Sequence, residues 1–191
     1  MILILFENYM TNKVVLGFTG LMASGKGESA KYLKEKHGAS TYRFSTMLAD
    51  ALSRFYLEHS RDNFIKISEM MRSTFGEDIM AKTMAHDVDN DASQLIVVEG
   101  IRRMADIDYL SKLPNFVLVE IKADIKIRFE RMKIRGEKAD DASKTLAEFE
   151  ADHQRSTELS ILEVAKKATE IIDNDGTVEM LYKQLDDLVK K

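Results

Sequence analysis

An apolar run, Val14-Val15-Leu16-Gly17-Phe18-Thr19, leads directly into Gly20-Leu21-Met22-Ala23-Ser24-Gly25-Lys26 and from there into a helical pattern. A strand that delivers the spacing G-x-x-x-x-G-K to the start of a helix is the sequence form of a phosphate-binding loop. The glycines let successive backbone N–H groups turn inward around phosphate oxygens, along a path that a β-carbon would block. The helix that follows points its positive N-terminal end at the same anion, and Lys26 adds a full charge. The segment restricts the chain to the handling of nucleotide phosphates without saying what is done with them.

The rest of the chain repeats the alternation of strand and helix. Strands are expected at Lys13–Thr19, Ser40–Phe44, Gln94–Val98, Asn115–Lys122 and Thr169–Ile172. Helices are expected at Gly25–Lys36 (ended by Gly38), Ser45–Glu58, Asn63–Thr74, Asp78–Val88, Met104–Leu113, Ile125–Arg135, Thr145–Lys167 with an interruption, and, after a strand-to-helix turn at Asn174-Asp175-Gly176, on to the C-terminus. Such alternation implies a parallel sheet covered on both faces, with the ligand at the C-terminal ends of the strands. Two stretches depart from it. A helical block at 45–90 and a polar loop plus helix at 136–158 read as inserts that close over a substrate.

Composition removes several other chemistries. The 191 residues fit one domain, and the absence of cysteine excludes disulfides, thiolate metal sites and cysteine nucleophiles. A net charge of −4 argues against a nucleic-acid polymer as the main partner. The opening Met1-Ile2-Leu3-Ile4-Leu5-Phe6 is too short to span a bilayer and lacks the preceding basic region of a secretion signal. Residues 1–12 are therefore read as an N-terminal extension, with an edge strand or an oligomer contact as the alternative. Residues 13–191 are read as a single cytoplasmic domain, not bound to membrane. The four histidines show no metal-ligand spacing.

Position 27 narrows the loop further. A serine or threonine commonly follows the lysine and binds Mg²⁺, whereas here the run is Gly25-Lys26-Gly27-Glu28. Adenylate kinases share that Gly-Lys-Gly arrangement. The chain resembles the superfamily of nucleoside-monophosphate kinases and dephospho-coenzyme-A kinases, most closely an archaeal branch described as adenylate-kinase-related, from about Lys13 to the end. The third strand ends Val97-Val98-Glu99-Gly100-Ile101-Arg102-Arg103, similar to the Asp-Gly-Phe-Pro-Arg run of adenylate kinases. In that likeness Glu99 lies near Mg²⁺, through water, and Arg103 grips the acceptor phosphate; the archaeal branch favours Arg102 instead. The competing reading is a pair of surface arginines at a helix start.

Arg131 and Arg135 are four apart and share a helix face, as do the arginines at the base of an adenylate-kinase lid. Arg128 stands three before Arg131, and Glu130 and Glu137 offer ordinary salt bridges as the alternative. Asp152-His153-Gln154-Arg155-Ser156-Thr157-Glu158 resembles a lid segment of the archaeal branch and makes Arg155 a further candidate phosphate ligand. On the acceptor side, Phe44-Ser45-Thr46 resembles the start of the monophosphate-binding helices, so Ser45 and Thr46 are candidate ligands as well as a helix N-cap. Relatives carry a basic residue where this chain has Ala49. Arg43 and Arg54 are off that position, and Arg72 is placed to compensate.

The resemblance implies a P-loop NTPase fold of the α/β class, a three-layer α/β/α sandwich on a five-stranded parallel sheet with a helical acceptor-binding insert and a lid. It implies ATP and Mg²⁺ as cofactors and small-molecule nucleotides as substrates. Lys26, Arg103, Arg131 and Arg135 are then the catalytic set. Gly20, Ala23, Ser24, Gly25, Lys26, Gly27, Glu28, Arg131 and Asp175 are the nucleotide contacts. The acceptor contacts are Ser45, Thr46, Arg102, Arg103 and Arg155. Transfer of a phosphoryl group to a nucleoside monophosphate leads, ahead of dephospho-coenzyme A and of a non-catalytic nucleotide switch.

Overall fold

The computed structural model describes residues 13–135, 144–153 and 156–190. The extension at 1–12, the polar loop at 136–143 and Arg155 lie outside them. Five strands form one sheet: β1 (Val14–Thr19), β2 (Ser40–Arg43), β3 (Leu95–Glu99), β4 (Phe116–Lys122) and β5 (Glu170–Asp173). Their order is β2-β3-β1-β4-β5, and every neighbouring pair is parallel. The helices are α1 (Lys26–His37), α2 (Phe44–Arg54), α3 (Arg61–Phe75), α4 (Ile79–Asn90), α5 (Met104–Asp108), α6 (Ile125–Arg135), α7 (Leu146–Asp152), α8 (Ser156–Ala165) and α9 (Val178–Val189).

The period of two in the strands divides the core. Leu16 and Phe18 of β1, with Val97, Val119, Ile121 and Ile172, pack beneath Ala30 and Leu33 of α1 and Leu181 and Leu185 of α9. Val15, Ile96, Val98 and Leu118 face the other way, against Leu48 and Leu52 of α2, Met84 and Val88 of α4, Ile107 of α5 and Val164 of α8. Burial on both faces explains why the strands read as continuous apolar runs. Gly17 lies on the second face because nothing larger fits: a β-carbon there would meet the Phe116 ring at 2.7 Å and Ile101 Cδ1 at 2.9 Å.

The connections leaving the adjacent strands β1 and β3 go to opposite faces, α1 to one and α5 to the other. A parallel sheet opens a crevice at such a point, and here its walls are the Gly20–Lys26 loop and residues 99–103.

Three boundaries differ from those expected. Helix α2 stops at Arg54 rather than Glu58, because the chain closes a Schellman motif without glycine. Tyr56 takes φ 57, its N–H donates to Ser53 O at 3.0 Å, and Leu57 N–H donates to Leu52 O at 3.0 Å. The start of α2 is Phe44, drawn inward by its buried ring, so Ser45 and Thr46 lie exposed in the first turn. Neither is the N-cap; Arg43 holds that position, with no side-chain capping bond. The Met104–Leu113 helix divides into α5 and a single 3-10 turn at Leu110–Lys112.

Leu33 joins α1 to the sheet and is fully buried. Leu33→Ala is expected to cost about 2–5 kcal/mol in urea unfolding; a loss below about 1 kcal/mol would contradict this packing.

Candidate active site

The loop after β1 turns where its residues allow it. Gly20 has φ 139, and a β-carbon there would lie 2.3 Å from Ile121 O, so the backbone leaves β1 by passing directly over β4. Gly25 has φ 109, and its β-carbon would lie 2.2 Å from Asn174 Nδ2. Ala23 is also left-handed, with φ 60. Within this turn Lys26 Nζ donates to Gly20 O at 2.7 Å and Leu21 O at 2.9 Å. Burial chiefly, then the charge of Arg102, pulls the lysine down from 10.5 to about 8; Glu158 and Glu99 act against that shift and Arg135 adds to it. The charges that reach Lys26 thus come from the end of β3, the β3–α5 connection, the end of α6 and the first turn of α8.

Two braces hold the loop from behind. Asn174, after β5, donates from Nδ2 to Ser24 O at 2.8 Å and accepts at Oδ1 from Arg131 Nη2 at 3.4 Å. Arg128 is buried: Nε donates to Ala123 O at 3.0 Å, and Nη1 donates to Met22 O at 3.2 Å and to His153 Nε2 at 2.6 Å. That contact fixes the imidazole tautomer, so His153 Nδ1–H donates to Phe149 O at 2.7 Å. Arg128 therefore ties the loop to α7.

On α6, Arg131 keeps Nη1 buried without a hydrogen-bond partner among the described residues. Glu158 Oε2, on α8, is in the same condition. A buried charged atom without a partner carries a desolvation penalty, so both atoms are available to a ligand. Arg135 is exposed at the end of α6 and contributes to the field at Lys26.

The adjacent arginines 102 and 103 serve different neighbours. Asp106 Oδ2 accepts from both backbone N–H groups at 2.9 Å, which pins the connection after β3. Burial raises the Asp106 carboxyl above its ordinary value against those bonds. Arg102 bears on Lys26. Arg103 lies 3.9 Å from Glu77 Oε2 and depresses Arg72, whose shift comes first from burial. Arg72 itself donates to Ser68 Oγ at 2.5 Å. Helix α3 thus brings Arg72 to Arg103.

Three other expected contacts have partners within the protein. Glu28 accepts from Tyr182 OH at 2.5 Å, on the α1–α9 side, where Tyr182 stacks on Tyr32 with centroids 3.8 Å apart. Asp175 Oδ1 accepts from Asp124 N at 2.5 Å at the start of α6. Glu99 Oε1 is paired with Arg43 Nη2 at 2.7 Å. Sequence reasoning passed over Asn174 as a turn residue and Asp106 altogether. The second had a signal, since an acid three residues after a helix start caps backbone donors.

Lys26 has a lower affinity for its proton folded than unfolded, so between about 8 and 10.5 the unfolded chain holds more protons and the lysine makes stability rise with pH. Below about 8 its burial cost is present in full. Lys26→Met is expected to be more stable than wild type near neutral pH in urea unfolding, with the difference shrinking above about 8. A difference that does not change with pH would contradict the buried-lysine geometry.

The fold has counterparts among known proteins. The family described as an AAA domain matches residues 19–150. A UPF0200 protein of Sulfurisphaera tokodaii is 26% identical over 178 residues, covering 93% of this chain and 96% of its own length. Among solved structures, TT1252 from Thermus thermophilus superposes with a TM-score of 0.60 at 16% identity, covering 93% of this chain and 97% of that one. Shikimate kinase from Bacteroides thetaiotaomicron gives 0.56 at 14%, covering 93% and 99%. These two are likenesses of fold. With its phosphate loop inside a match that spans most of its length, the chain belongs to the AAA-domain family of P-loop kinase-like proteins.

Proposed function

We propose that the protein is an ATP-dependent phosphotransferase of the cytoplasm that moves the γ-phosphoryl group to a small nucleotide-like acceptor, with a nucleoside or deoxynucleoside monophosphate as the leading acceptor. The observation that carries this reading is the convergence of Arg102, Arg135, Glu99 and Glu158 on the loop lysine from separate elements. Phosphoryl transfer is catalysed mainly by positioning and charge neutralisation, which calls for such a collection.

The residues present fit the cofactors. The cradle built on Gly20 and Gly25 presents backbone donors to the phosphates of ATP, and Lys26 exchanges its carbonyl partners for phosphate oxygens. Arg131 and Arg135 hold the transferred phosphoryl oxygens, the first through its unpartnered Nη1. Arg102 and Arg103, with Arg72 beside them, hold the acceptor's anionic group. Glu99 offers Oε2 to the hydration shell of Mg²⁺, an ion that usually keeps several waters. Bound there with ATP, Mg²⁺ would neutralise charge on the β- and γ-phosphates.

A second reading has one observation in its favour. Transfer to a hydroxyl, as in a dephospho-coenzyme-A kinase, requires a group to take the hydroxyl proton. Glu158 Oε2 is a buried carboxylate oxygen that accepts no hydrogen bond among the described residues.

Incubation with ATP, Mg²⁺ and a panel of nucleoside monophosphates and dephospho-coenzyme A tests both. ADP is expected only when an acceptor is present; ADP formed without one would point to a hydrolase instead. Lys26→Ala is expected to abolish transfer with the fold intact. Arg131→Ala is expected to lower kcat on the order of 10²–10³-fold with a smaller effect on ATP affinity; loss of ATP affinity alone would reduce Arg131 to a ground-state contact.

A further inference from the structure

The hydroxyl that commonly follows the loop lysine is missing at Gly27, and its neighbourhood is occupied. A β-carbon at position 27 would sit 3.5 Å from Arg43 Nη2 and 3.9 Å from Glu99 Oε2. Those two side chains form an ion pair, Nη2 to Oε1 at 2.7 Å. The pair is built by the sheet, since Arg43 and Glu99 are register partners at the C-terminal ends of β2 and β3. A β-carbon at 27 would thus make ordinary van der Waals contact with both members of this pair.

We propose that Arg43 sets the divalent-cation requirement of the site by acting as the resident counter-ion of Glu99. The inference rests on the phosphate-loop reading above and concerns a residue that reading leaves unused. A carboxylate already hydrogen-bonded to a guanidinium has part of its charge neutralised, and a divalent ion approaching Oε2 meets the repulsion of that guanidinium. The partners differ in mobility: the Glu99 side chain is 13% exposed and the Arg43 side chain 50%. Exposed ion pairs are weakly held, so Arg43 is the member that yields. The cation displaces the guanidinium from Glu99 at a cost paid in affinity, and the site loads only at a higher divalent concentration than Glu99 alone would need.

The test titrates Mn²⁺ against the full chain with a non-hydrolysable ATP analogue, following free Mn²⁺ by electron paramagnetic resonance. Wild type is compared with Arg43→Gln, Arg43→Met and Arg43→Lys, the two neutral variants guarding against a folding defect in either. Both neutral variants are expected to lower the half-saturating Mn²⁺ concentration by roughly three- to tenfold, the scale of one unit charge beside a partly solvated site. Arg43→Lys, which keeps the charge, is expected to stay within about twofold of wild type. An unchanged or raised concentration in the neutral variants overturns the proposal while leaving the phosphate loop in place. Failure of the analogue to bind wild type at any Mn²⁺ concentration overturns the phosphate-loop reading and this inference with it.

Discussion

A protonated lysine folded beneath its own backbone is the constraint around which this molecule is arranged. Lys26 lies in a loop so tight that Gly20 has no room for a β-carbon, and its ammonium is held by two loop carbonyls. Arg102 and Arg135 add like charge, Glu99 and Glu158 add opposite charge, and burial lowers its proton affinity. A buried ammonium is costly unless it is well bonded. The loop carbonyls supply those bonds only while the loop keeps its shape. The Asn174 bond to Ser24 O and the Arg128 bond to Met22 O hold that shape from two sides.

The same braces link the loop to segments on the far side of the sheet order. Asn174 follows β5 and also accepts from Arg131 on α6, and Arg128 reaches His153 at the end of α7. A displacement of α6 or α7 therefore acts on the loop through hydrogen bonds of named geometry. The connection after β3 is built differently. Asp106 fixes the backbone of Arg102 and Arg103, leaving one guanidinium to the lysine and the other to Arg72. The Gly20–Lys26 loop is thus pinned from outside, whereas the connection after β3 is organised by a single buried carboxylate.

What could be read from the residues alone follows from which signals are local. The loop, the five strands and the helix ended by Gly38 are set by spacing, periodicity and turn chemistry within a few residues of one another, and their boundaries agree to within one or two positions. Tyr56 defeated the reading of α2 because the left-handed residue closing a helix is usually glycine, and nothing local marks a tyrosine for that role. Asn174 and Arg43 escaped for another reason. Asn174 lies 150 residues from Ser24 in the chain, and Arg43 meets Glu99 only through strand pairing; strand order is not written in either segment. Arg102 and Arg103 were legible as a pair, but their division of neighbours was not, because it depends on where α3 brings Arg72.

Hydrogen exchange of the 20–27 backbone, measured with ATP and with adenosine at matched occupancy, addresses the central claim most directly. ATP is expected to slow exchange across the loop, because its amides bind the phosphates, and adenosine to leave those amides at their ligand-free rates. Equal protection by both ligands, or none by ATP, would contradict a phosphate cradle built on Gly20, Gly25 and Lys26.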